Sequence, residues 1–220
     1  MKVFLIVMVM SFSFITAAQT MREIDSVSFE MCNNLEKLKI SNDTLLINTF
    51  YNQQLIPYLS EMEPMKAEKI GTRLFFRLQR NCITFHELLN RLEPPVGWED
   101  YEEGKPVSEI SKKELDEFKS NRKFYYFEGN GDTTFVEMEA GRWTDSFTDG
   151  TQSHLTYEWS TNDEFQLTFI RSDNLGRSNL SIKGDIYNYQ VVKKEKDYFV
   201  MALNIPGQKL YQRFNLHIVE

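Results

Sequence analysis

The chain has 220 residues, a formal net charge of −7 and 14% aromatic side chains, among them 17 Phe and 10 Tyr. The acidic balance, without a long Lys/Arg cluster, excludes the footprint of a nucleic-acid binder or of a protein drawn to an anionic membrane surface. So aromatic a chain is not a disordered one, and its length allows one sizeable domain or two small ones.

At the N-terminus, Lys2 precedes an apolar run over residues 3–15, and Thr16, Ala17 and Ala18 supply small residues for cleavage after Ala18. The run is too short to cross ~30 Å of hydrocarbon as a helix. Residues 1–18 are therefore expected to be a signal peptide, and the protein secreted or periplasmic, with no membrane span left after cleavage. Cys32 and Cys82 are the only cysteines. In an oxidising compartment an even count predicts one disulfide, with two buried thiols as the alternative.

Residues 19–93 read as a helical module. Ile24, Val27, Met31, Leu35 and Leu38 recur at helical spacing over 20–39. A second helix is expected over 43–61, kinked or divided at Pro57. A third is expected over 65–92, where Leu74, Leu78, Cys82, Phe85 and Leu89 form one apolar stripe. Cys82 lies on that stripe and Cys32 beside Met31 and Leu35, so both thiols face one core. Residues 94–121 read as a linker: 94–107 is rich in Pro, Gly and acidic residues, and a short helix at 112–119 is announced by the capping box of Ser111 and Glu114.

From residue 122 to 220 the period becomes two. Strands are expected at 123–128, 132–139, 142–148, 151–160, 164–171, 186–193, 198–204 and 209–219, with tight turns at Gly129/Asn130/Gly131, Asp149/Gly150, Asn162/Asp163 and Pro206/Gly207. One connection is long, 172–185. The fold class is thus α+β: a helical module, then an antiparallel β-meander that either closes into an up-and-down barrel or stays open against a helix.

Motifs for chemistry are sparse. His86, His154 and His217 stand singly, without a partner at metal-ligand spacing. There is no nucleophile elbow and no phosphate-cradling loop. No catalytic group, metal or cofactor is expected. An enzyme with an unrecognised, hydrolase-like site would need Asp145, His154 and Glu158 to converge from separate strands. Asp149 is explained by its turn. The clearest pattern is aromatic: Trp143, Tyr157, Trp159, Tyr187 and Tyr189 fall on strands among apolar neighbours. Such residues line pockets for apolar or ring-shaped ligands, and Gln212, polar among core-facing positions, would anchor one; the alternative is a filled core.

Gly141-Arg142-Trp143 is similar to the G-x-W of lipocalins, and Arg213 on the last strand resembles the arginine that packs on that Trp. In that family the motif sits on the first barrel strand, whereas two candidate strands precede it here. Residues 143–159, 164–174 and 181–190 also resemble the C-terminal part of small secreted bacterial proteins of unassigned function. The resemblance implies a bacterial, periplasmic setting and a lipocalin-like β domain. The expected task is binding a small apolar ligand, or an envelope protein if the core is filled.

Overall fold

The computed structural model describes residues 21–94 and 101–219. The expected leader and its cleavage point, and residues 95–100 of the acidic linker, lie outside the described residues.

The helical part comprises α1 (Met21–Lys37), α2 (Asp43–Phe50), a π-helical turn (Tyr51–Leu55), α3 (Ile56–Ser60), α4 (Pro64–Asn81) and α5 (Ile83–Leu92). The Asn42 side chain caps α2 by accepting from the Leu45 N–H at 2.8 Å. Pro57, which has no N–H to give, lies in the first turn of α3, and the helix widens just before it rather than ending there. The single helix expected over 65–92 is two, because Cys82 is extended, at φ −125° and ψ 100°. Neither Gly nor Pro marks that break, and both helices keep their apolar stripes on one core, so periodicity alone runs through it. That core gathers Ile24, Leu35, Phe50, Leu74, Phe85 and Leu88. Cys32 and Cys82 form a disulfide within it, with 5.5 Å between their Cα atoms.

The β part is a closed up-and-down barrel of eight antiparallel strands, the architecture of lipocalins. They are β2 (Lys123–Phe127), β3 (Thr133–Glu139), β4 (Arg142–Ser146), β5 (Gln152–Trp159), β6 (Glu164–Ser172), β7 (Ile186–Lys194), β8 (Tyr198–Asn204) and β9 (Leu210–Ile218), preceded in the chain by a short strand, β1 (Tyr101–Glu103). Each pairs with the next, and β9 returns to β2 through Phe124↔Ile218 and Tyr125↔His217. Because β2 reaches only the end of β9, the other half of that edge would leave backbone groups unpaired. β1 fills the gap, pairing Tyr101↔Gln212 and Glu103↔Leu210. Part of the stretch read as linker is therefore strand, recruited by a partner more than 100 residues away.

The β3–β4 hairpin turns on Ala140 and Gly141, both at positive φ (49° and 75°). This is the pairing a two-residue type I′ turn demands, and a Cβ is costly in the left-handed region. Ala140→Gly is expected to raise stability by about 0.5–1 kcal/mol, read as an increased urea midpoint at unchanged slope.

One barrel end is plugged. Helix α6 (Lys112–Ser120) starts at the expected capping box, with Glu114 Oε2 accepting from the Ser111 N–H at 2.9 Å. It drives Phe118 into the barrel against Phe199 (ring centroids 5.0 Å), Phe124 (5.3 Å) and Trp159 (6.0 Å).

The other end is roofed. A short helix, α7 (Leu175–Leu180), forms within the long β6–β7 connection, capped by Asn174. The helical module docks beside it through polar contacts. Arg77, 1% exposed, gives Asp25 two bonds at 2.5 and 2.8 Å, and donates to Asp185 and to the Leu180 carbonyl at 2.6 Å each. Arg80 lies 3.1 Å from Asp185 and donates to the Tyr187 hydroxyl at 3.2 Å. Gln208, on the β8–β9 turn, donates to the Arg80 carbonyl at 2.6 Å.

Candidate functional site

Between plug and roof the barrel holds a cavity that is partly open to solvent. The space measures about 340 Å3 and is walled by barrel strands, by Arg177 and Leu180 of α7, and by Arg80, Ile83 and His86 of the helical module. Its emptiness follows from residue size. At the plug end, inward positions carry Phe124, Trp159, Phe165 and Phe199, with Phe118 inserted among them. At the roofed end, β5 offers only Ser153 and Leu155, and β9 offers Leu210, Gln212 and Phe214.

Of the expected site residues, Trp143, Tyr187, Tyr189 and Gln212 line the cavity. Tyr157 and Trp159 also pack against the barrel core but are not part of the cavity wall. Trp159 packs on Phe165 at 5.0 Å, with the Lys119 ammonium 4.1 Å from its ring. Alternation along β5 identifies the inner face correctly, but it says nothing about depth. At ~3.3 Å per residue, Trp159 lies about 13 Å along the strand from Leu155.

The polar end of the cavity adds Arg177, Glu128 and Tyr126, which the sequence did not mark, to the marked Trp143, Asp145 and Tyr187. Trp143 Nε1–H donates to Asp145 Oδ1 at 2.7 Å, in full burial. Arg177 Nη2 donates to Glu128 Oε1 at 2.5 Å and to the Tyr126 hydroxyl at 3.3 Å, and Thr134 donates to the same Glu128 oxygen at 2.6 Å. Ser181 and Tyr187 share a hydroxyl–hydroxyl bond at 2.6 Å. Arg177 and Glu128 sit on an irregular connection and at a turn, where no periodicity singles them out.

Burial pushes the Asp145 carboxyl up to about 6; the Arg177 charge and the Trp143 hydrogen bond pull it down but do not offset the loss of water. Burial opposes the Arg177 charge too, yet Tyr126, Glu128 and Asp145 outweigh it, and its pKa rises. Burial holds the Tyr126 and Tyr189 hydroxyls well above their ordinary value and lowers His86.

A carboxyl raised by folding stabilises the fold in its protonated form. That contribution is complete below the unfolded value near 3.8 and is lost as pH climbs through about 6. Asp145→Asn keeps a carbonyl for Trp143 and carries no charge. It is expected to stabilise the protein by about 2–3 kcal/mol at pH 7.5 and by little at pH 4, in paired urea titrations.

The residues required for an enzymatic site do not converge. Asp145 points inward. His154 lies on the opposite face of the sheet, bonded to Thr144 Oγ1 at 3.3 Å, and Glu158 is exposed on that face too. Asp149 is engaged in its turn, accepting from the Thr151 N–H at 2.9 Å. Arg213 pairs in register with Ala202, whose side chain belongs to the outer cluster, so it faces away from the lumen that holds Trp143. Arg213 and Trp143 thus lie on opposite faces of the barrel wall. Among the described residues no helix is long and apolar enough to cross a membrane. In comparisons with known proteins the chain matches no family model, no curated protein and no solved structure.

Proposed function

We propose that the protein is exported, as small secreted bacterial proteins with a lipocalin-like domain are, and that its barrel holds a small apolar or ring-bearing ligand in the lumen. The observation that carries this reading is the cavity itself. A core of this composition could have been filled, as its other half is, yet about 340 Å3 stays open among aromatic walls with polar groups at one end. Export is supported by the leader-like run over residues 3–15 and by a disulfide of the kind that persists in oxidising compartments.

The test uses an uncharged apolar fluorophore, N-phenyl-1-naphthylamine, titrated into the full chain. Saturable enhancement at one equivalent is expected. Leu203→Trp, which fills the cavity from β8, is expected to weaken binding by about tenfold or more while the far-UV circular dichroism holds. Enhancement that ignores this substitution would contradict a lumenal site.

A second reading, an envelope protein that docks a partner, is favoured by the barrel exterior. Phe135 is 51% and Phe127 40% exposed, beside Tyr125 stacked on His217 at 4.8 Å. Pull-down from the native envelope with wild type and a Phe127→Ser/Phe135→Ser variant tests it: loss of a stoichiometric partner supports docking there, and an unchanged profile removes it.

A further inference from the structure

Resting on the lumenal reading, the charges around the cavity define the ligand more closely. Three guanidinium groups and four carboxylates lie buried or half-buried around the lumen and its roof. Arg77 is clamped by Asp25 and Asp185, and Arg80 also reaches Asp185. Arg177 is held by Glu128. Asp145 is the carboxylate left over. Its Oδ1 takes a bond from the neutral Trp143 ring at 2.7 Å. Arg177 is close enough to favour the Asp145 charge, but its contact bond goes to Glu128, and His86, lowered by burial, adds no positive charge at neutral pH.

One negative charge is therefore left over, and aromatic side chains line the same cavity. Tyr126, Trp143 and Tyr189 line the cavity with Asp145, and the Tyr189 ring lies 5.8 Å from that of Trp143. Electron-rich ring faces around a carboxylate attract cations. An anion would meet two carboxylates, Asp145 and Glu128, and two guanidiniums, Arg80 and Arg177, that are already paired with Asp185 and Glu128. We propose that the lumen takes a small monocation with an apolar or aromatic body, an alkyl- or arylammonium, whose charge sits against the Asp145 carboxylate and whose body lies among Trp143, Tyr126 and Tyr189.

The test compares three probes of one shape by calorimetric titration into the full chain at pH 7.5: 2-phenylethylamine, 2-phenylethanol and 3-phenylpropionate. The amine is expected to bind at least about tenfold more tightly than the alcohol, and the acid more weakly than either. In Asp145→Asn the amine should lose its advantage while the alcohol is unaffected. Equal binding of all three, a preference for the acid, or an amine preference that survives Asp145→Asn would overturn the charge assignment and leave the lumenal reading standing. Binding of none of the three while N-phenyl-1-naphthylamine still binds would overturn it too. If the fluorophore also fails, the lumenal reading falls with it.

Discussion

Replacing Arg77 with methionine is expected to destabilise the protein by about 3–5 kcal/mol at pH 7, because it leaves the Asp25 and Asp185 carboxylates facing one another in a poorly hydrated joint. Arg80 remains near Asp185 but makes no bond to Asp25, so it cannot replace both bidentate and bridging contacts. The measurement is a urea unfolding curve followed by far-UV circular dichroism. Restoring balance tests the cause: adding Asp25→Asn and Asp185→Asn to Arg77→Met should recover much of the loss, since exchanging a whole buried ionic network for neutral groups costs far less than breaking it. A loss below about 1 kcal/mol for the single variant would mean the joint is solvated and the helical roof loosely held. The same substitution should weaken lumenal binding, because the roof residues Arg80, Ile83 and His86 follow Arg77 along α4 and α5.

Removing the disulfide should have an effect of similar size. Cys32 and Cys82 are 50 residues apart, and in the chain-entropy account opening such a loop costs about 4 kcal/mol. Cys82 also sits where α4 hands over to α5, between roof residues Arg80 and Ile83. Cys32→Ser/Cys82→Ser is thus expected to loosen the roof first. The amides of α1, α4 and α5 should lose hydrogen-exchange protection, while those of β4 to β8, whose core is a separate cluster, keep it. Equal loss of protection in barrel and helices would show that the two cores unfold as one.

Much of this architecture was legible in the chain because its strongest signals are local. The strands from β2 to β6 alternate in burial, and the turns carry Gly or Asp where the backbone needs them, so their bounds follow from residues such as Gly141 and Gly150. Ser111 and Glu114 announced α6. What escaped depends on partners distant in sequence. β1 exists because β9 has a vacant half-edge, and α7 because Asn174 caps a turn within a connection without period. The extended Cys82 answers to no local breaker. The site was half legible for the same reason. Trp143, Tyr187, Tyr189 and Gln212 were marked by their inward face. Tyr157 and Trp159 share that face yet lie at the plugged end, a distinction set by how far Phe118 penetrates. The sequence marks Asp145 only as a member of a conceivable catalytic set with His154 and Glu158, and its place in the cavity comes from the Trp143 bond and from Arg177 being held by Glu128.

The most direct check on the hollow, roofed barrel is methyl NMR of the full chain during titration with N-phenyl-1-naphthylamine. Saturable shifts at one equivalent are predicted for the methyl groups of Leu155, Leu167 and Leu203 along the cavity, with Leu216 at the plugged end still. Shifts confined to residues of the outer wall, such as Val192 and Val200, or none at saturating probe, would contradict an open lumen.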